Sequence, residues 1–339
     1  MLNIKNMSKK KQYLYNGMWG NKNFDFPVSE TKVSAESTSC NSYSFEGAST
    51  VSEEICCNRI MELFGIVDKE LFRKKFSQSC GGDGQELKRI STLHSSSLCA
   101  LLFFYDVTDN HPLKMSVNGR ECEFTYSRFE YQNTVIRGRK PSNMDIVLVG
   151  KDCESGRPVI LFLESKFSEY MDRVGKKLNI ANEYLTNKYS TNIYRVELEK
   201  LDMSIKENAT EKEFALECSE VCYLEGIKQM ISHFIGVNNF MKETPVTVDQ
   251  TIDLIRENAD VYLGEILFDT VIGDYEIKKG VTCYQSYKEN YEKLVDILNA
   301  MDSSVNVVKT LFSYEMFKKN DFIKEDKIKQ FYFECGLEK

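Results

Sequence analysis

Two apolar runs, MDIVLV (Met144–Val149) and PVILFL (Pro158–Leu163), are separated only by the polar connection GKDCESGR. Each run is too short for a helix, apolar on both faces and bounded by turn residues. Strands of that kind sit in the middle of a sheet covered by helices on both sides. The short connection makes the pair a hairpin, which commits the chain to an α/β architecture.

The margins of this hairpin carry charge. Asp145 begins the first run, and Glu164, Ser165 and Lys166 end the second. Ionised groups in low dielectric cost several kcal/mol unless they are paired or bound to a metal. Partners in an antiparallel pair keep a constant sum of positions, and setting Asp145 opposite Glu164 centres the turn between Glu154 and Ser155, the middle of the connection. The two carboxylates then share one face with Cβ atoms roughly 5 Å apart, and Lys166 falls on that face by period-two alternation. A slip of one residue undoes the arrangement. Facing carboxylates repel unless one is protonated or a cation lies between them. Mg²⁺, with Mn²⁺ as a substitute, prefers such oxygen ligands, and the carbonyl of Ser165 adds another. A lysine beside metal-bound water suits hydrolysis of a phosphodiester.

Aspartate at the start of one strand, followed by Glu-x-Lys at the end of the next, resembles the signature of the PD-(D/E)xK nucleases, the restriction-endonuclease-like superfamily. The proline is displaced to Pro141, in Pro141-Ser142-Asn143-Met144-Asp145. Glu-x-Lys alone carries no weight, because it occurs five times, at Glu30, Glu86, Glu164, Glu276 and Glu325. Only the third ends an apolar strand with an acid at hairpin distance; the plainer reading of that same set is a strand end with a solvated Glu-Lys pair and an aspartate in a turn.

The element order extends the likeness. A helix runs through HSSSLCALLFF, where the serines are ordinary caps. ECEFTYSRFEYQNTVI reads as a strand, then come the hairpin strands, an amphipathic helix in YLEGIKQMISHFIGVNNF, and a strand in DVYLGEILFDTVI. This order, from about Gln85 to Ile272, resembles the αβββαβ core of that superfamily: a mixed central sheet flanked by helices, with helical additions. The expected organisation is an N-terminal arm and Ser/Thr-rich linker over 1–57, a nuclease core over 58–272 with an insertion near 172–217, and a C-terminal helical extension over 273–339.

The resemblance implies metal-dependent cleavage of DNA, or less often RNA, of the restriction or repair kind. Asp145 and Glu164 would hold the metal together with Ser165, and Lys166 would assist the attacking water. The superfamily often adds an acid from the first helix or strand. Glu130, lying between Phe129 and Tyr131, is preferred to Glu86, which suits the start of a helix. Some relatives carry a glutamine followed four residues later by tyrosine. Here Gln229 and His233 hold those places on one helical face, with Gln229 expected to bond the lysine or a phosphate.

Composition narrows the alternatives. The chain has 339 residues, 42% apolar and 28% charged, enough for a sizeable core. Its net charge of −7 is not the basic footprint of most nucleic-acid binders, although RGRK at Arg137–Lys140 is a local basic cluster. Eleven scattered cysteines and three histidines offer no zinc-ligand spacing. CGGDG lacks the Gly-Lys-Ser/Thr of a nucleotide loop. Without an apolar leader or a run of about 18 apolar residues, the expectation is a cytoplasmic protein with reduced thiols, nucleic acid as partner, no membrane and a possible homodimer. A nuclease-like fold without catalysis, serving as a nucleic-acid-binding or scaffold module, is the alternative.

Overall fold

The hairpin forms the middle of the sheet. In the computed structural model, β5 (Ser142–Asp152) pairs antiparallel with β6 (Pro158–Lys166), matching Ile146 with Leu163, Val149 with Ile160 and Lys151 with Pro158. This is the register expected from the sequence. The turn is closed locally: the Asp152 carboxylate accepts from the N–H groups of Glu154 (2.9 Å) and Ser155 (2.7 Å), and Gly156 takes a left-handed φ of 71°. Ile146 to Leu148 and Val159 to Leu163 are buried, each side chain contributing roughly 1.5–3 kcal/mol. The structure describes residues 7–335 except 21–23, 36–37, 49–51, 82–84, 173–174, 187–197, 208–212, 244 and 270–271.

Around the hairpin lies a mixed α/β architecture. β4 (Arg120–Asn133) pairs antiparallel with β5, with a bulge between Phe124 and Tyr126. Gly150 lies there, and a Cβ at this position would collide with the Glu123 carbonyl. β3 (Leu113–Val117) adds an edge strand through a turn at Asn118-Gly119, where both residues have positive φ. That Asn-Gly pair is the sequence signal for a hairpin. β10 (Asp260–Leu267) lies parallel to β6 on the other side and is itself flanked, also in parallel, by β13 (Val305–Val307) and β14 (Phe312–Ser313). The strand order is β13-β10-β6-β5-β4-β3, with β14 also pairing with β10.

Helix α5 (Ser96–Phe104), wholly apolar beyond its serines and buried, covers one face of the hairpin. Its Ser96 carbonyl accepts from Ser165 Oγ. Helix α6 (Leu224–Lys242) covers the other, where it meets Glu164 and Lys166. Gly236 lets α6 approach closely, since a Cβ there would lie 3.1 Å from that of Asn133. Asn239 then donates to the Thr134 carbonyl at 2.8 Å.

Three expectations about organisation are corrected. The segment 1–57, read as an arm and linker, contributes folded elements. α1 (Lys9–Trp19) buries Trp19, whose indole N–H donates to the Phe331 carbonyl, and β1 (Val28–Ala35) pairs with β2 (Thr38–Phe45). Phe45 is buried against Phe64 and Phe331, and Tyr43 and Phe45 bond through their backbones to Leu93 and Ser91. Next, the stretch after 273 is not only helical. α7 (Cys283–Asn299) starts with a Thr282–Gln285 capping box and is followed by β13 and β14, which complete the central sheet. Finally, four strands rather than three separate α5 from the insertion. That insertion, near 172–217, builds its own antiparallel sheet from β7 (Gly175–Ala181), β8 (Met203–Glu207) and β9 (Glu213–Cys222). Among the described residues no helix is long and apolar enough to cross a membrane.

Candidate active site

Antiparallel register and period-two alternation carry Asp145, Glu164 and Lys166 to one end of the central hairpin. Asp145 keeps some exposed surface, but its carboxyl is buried, and its Oδ2 accepts the Ser165 N–H at 2.7 Å. Glu164 and Lys166 are buried on the α6 side. Lys166 donates to Glu164 Oε1 and to Gln229 Oε1, both at 2.6 Å, while Gln229 Nε2 donates to the same Glu164 oxygen at 2.5 Å. These three side chains close a ring of hydrogen bonds. One turn along α6, His233 Nε2 lies 2.9 Å from Glu164 Oε2, but the pair lacks hydrogen-bond alignment. Its Nδ1 is bonded with the Ser142 hydroxyl.

Glu130 belongs to this group through register. Its neighbours Phe129 and Tyr131 pair with Ile146 and Met144, so Glu130 stands level with Asp145. It is buried, and its φ of 49° lies in the left-handed region that non-glycine residues rarely adopt. Such outliers persist only where surrounding structure holds them. Glu86 is engaged elsewhere, accepting from Ser97 Oγ at 2.9 Å. Glu169 accepts from the N–H groups of Phe167 and Ser168 and starts a short helix.

The sequence reading did not weigh Glu265. Parallel pairing sets it level with Glu164, and it is fully buried. Tyr287 of α7 donates its hydroxyl to Glu265 Oε2. Four acids, Glu130, Asp145, Glu164 and Glu265, therefore stand level on four adjacent strands. The available signal was the one that singled out Glu164: an acid inside an apolar strand, here YLGEIL.

These acids have unlike electrostatics. Burial pushes the Asp145 carboxyl well above the usual range, and Glu164 and Glu130 push it further; Lys166 and the Ser165 N–H oppose them only in part. Burial would raise Glu164 too, but Lys166 and His233 outweigh it and hold Glu164 at about 2. Burial would lower Lys166, yet Glu164 more than offsets that, so the ammonium is held above its ordinary value. Burial raises Glu265 to about 7, with Lys166 and the Tyr287 hydroxyl opposing and Glu164 adding.

Other residues raised by the sequence lie apart. His94 packs among Tyr15 and Ser42 and is pushed by burial to about 3. His111 stacks on Phe322 and lies 2.8 Å from the Asp106 carboxylate. Ser95 caps α5. Within RGRK, Arg137 pairs with Glu243 at 2.7 Å and Arg139 with Glu183.

No protein-family model, no curated protein and no solved structure matches the chain.

Proposed function

We propose that the chain is a metal-dependent nuclease of the PD-(D/E)xK kind, hydrolysing phosphodiester bonds, with DNA as the favoured substrate. The observation that carries this reading is the ring formed by Glu164, Lys166 and Gln229 beside the Asp145–Ser165 link. A buried lysine and several acids crowded at one sheet end, with Glu164 and Glu130 both repelling Asp145, are costly as packing and useful as chemistry. The donors suit a hard divalent cation: carboxylates on adjacent strands, with Glu164 Oε2 buried and without an aligned hydrogen bond. Asp145, Glu164 and the Ser165 carbonyl would hold Mg²⁺ or Mn²⁺, which when bound polarises a phosphodiester and lowers the pKa of water.

The chain's own groups have separable roles in this proposal. Lys166 donates hydrogen bonds and stabilises developing negative charge. Gln229 fixes the direction of the ammonium. Glu130 keeps Asp145 electron-rich and supplies a further acceptor for water. A partner nucleic acid and a homodimer belong to the same proposal, since cutting both strands of a duplex calls for two sites.

One observation favours the other reading, a non-catalytic nucleic-acid-binding or scaffold module. Among the described residues no three acid, histidine or cysteine side chains converge closely enough to hold a metal, and Glu164 is already neutralised by Lys166.

Cleavage of supercoiled plasmid and of single strands decides between them, run with Mg²⁺, Mn²⁺ or EDTA and with Lys166→Ala in parallel. Metal-dependent cutting lost in the variant is expected. DNA retention without cutting and without any metal effect would instead establish the module.

A further inference from the structure

Glu265 has no part in the proposed chemistry, yet it is the neighbour of Glu164 across the β6–β10 pairing. It is fully buried. Its Oε2 takes the Tyr287 hydroxyl, while Oε1 is buried without a hydrogen-bond partner. A buried acceptor left open is uncommon and asks for a donor. The adjoining cavity, lined by Gly226, Met230, Glu265, Tyr287 and Tyr291, measures about 10 Å³, room for no more than one water.

Lys166 is the cation that acts on Glu265 electrostatically. It lies two residues beyond Glu164 on β6, so its side chain leaves the same face, diagonal to Glu265 on the adjacent strand. In the structure its ammonium is bound to Glu164 Oε1 and Gln229 Oε1. If Glu164 turns to another cation, a buried ammonium would be left without a counter-charge. We infer that Glu265 is a second counterion of Lys166, a positioning residue that receives the ammonium when Glu164 releases it. The occasion for release rests on the nuclease reading; the paired carboxylates do not.

A double-mutant cycle tests this without metal or substrate. Urea unfolding is followed above neutral pH for Glu164→Gln, Glu265→Gln and the double variant, each also made with Lys166→Met. Each single change leaves the lysine one of these two carboxylates, whereas the double leaves neither, with the Asp145 and Glu169 carboxylates still acting on it. The expected result is a double-variant unfolding constant about tenfold or more above the product of the single effects, with the excess gone in the Lys166→Met background. A double variant that folds only with Lys166→Met supports the inference equally. Additive effects, or an excess that survives Lys166→Met, would overturn it. So would Tyr287→Phe reproducing the excess when combined with Glu164→Gln, since Glu265 would then act only by holding the tyrosine. A parallel Mn²⁺ titration separates the two proposals: absence of binding to the unaltered chain sinks the metal reading, while the cycle still decides the counterion.

Discussion

The Ser165 N–H donates to Asp145 Oδ2 at 2.7 Å, tying the peptide between Glu164 and Lys166 to the aspartate on the neighbouring strand. The Ser165 side chain is held from the opposite face, where its hydroxyl shares a 2.8 Å hydrogen bond with Tyr314 and a 3.3 Å one with the Ser96 carbonyl. The peptide that presents the acid and the lysine is thus fixed by α5, β5 and Tyr314 in the turn after β14 at once. A site needing sub-ångström placement gains from such crossing restraints.

Lys166 is the point of greatest sensitivity. Lys166→Ala leaves Glu164 buried and without its main counter-charge, and a loss of roughly 3–5 kcal/mol in unfolding free energy is expected. Lys166→Met keeps the volume and should cost less. Both should abolish metal-dependent cleavage. Urea titration with a plasmid assay checks this, and cutting retained by the folded Met variant would remove Lys166 from the mechanism.

Gln229→Ala removes one acceptor from Lys166 and one donor from Glu164, both buried. A cost of roughly 1–3 kcal/mol follows from leaving such groups unsatisfied, with Gln229→Glu worse because it sets a further carboxylate beside Glu164. Comparing thermal midpoints of the two variants is the check. Equal stability to the parent chain would show that water replaces the amide.

Glu164 and Glu265 should act in opposite pH windows. Glu164 is held at about 2, below its unfolded value, so its contribution is present above about pH 4.5 and is lost as pH falls toward 2. Glu265 is raised to about 7, so its contribution is present below about pH 4.5 and is lost as pH rises through 7. The second effect is on the order of 3 kcal/mol. Glu265→Gln should shrink the decline by that amount, leaving the part that the raised Asp145 carboxyl carries. Unfolding measured near pH 5 and near pH 8 for both proteins tests it, and an undiminished decline in the variant would move the titration to another group.

Glu130 holds a left-handed φ and adds negative charge beside Asp145. Glu130→Gly relieves both, against a glycine entropy cost of about 0.5–1 kcal/mol. The variant is expected to match or exceed the parent in stability by up to about 1 kcal/mol while losing cleavage. A loss of stability above that size would make Glu130 a structural residue.

The sequence by itself determined the central hairpin. Period-two alternation, unbroken apolar runs and a short connection are local properties, and they set the register that brings Asp145 level with Glu164. The same locality made Gln229 and His233 neighbours on one helical face. Locality alone did not place that face against Glu164; the expected bond from Gln229 to Lys166 came from the family resemblance, and the approach of α6 depends on Gly236 meeting Asn133. Nor could it join Glu265 to Glu164, since parallel pairing of β6 with β10 spans about a hundred residues and leaves no periodic trace of register. The Ser/Thr-rich segment misled for a related reason. β1 and β2 lack aliphatic runs, and what anchors the described end of the hairpin is Tyr43 and Phe45, packed against distant helices and bonded to Ser91 and Leu93. Only tertiary structure decided these contacts, because the free energy that fixes them belongs to surfaces that meet after the chain has folded.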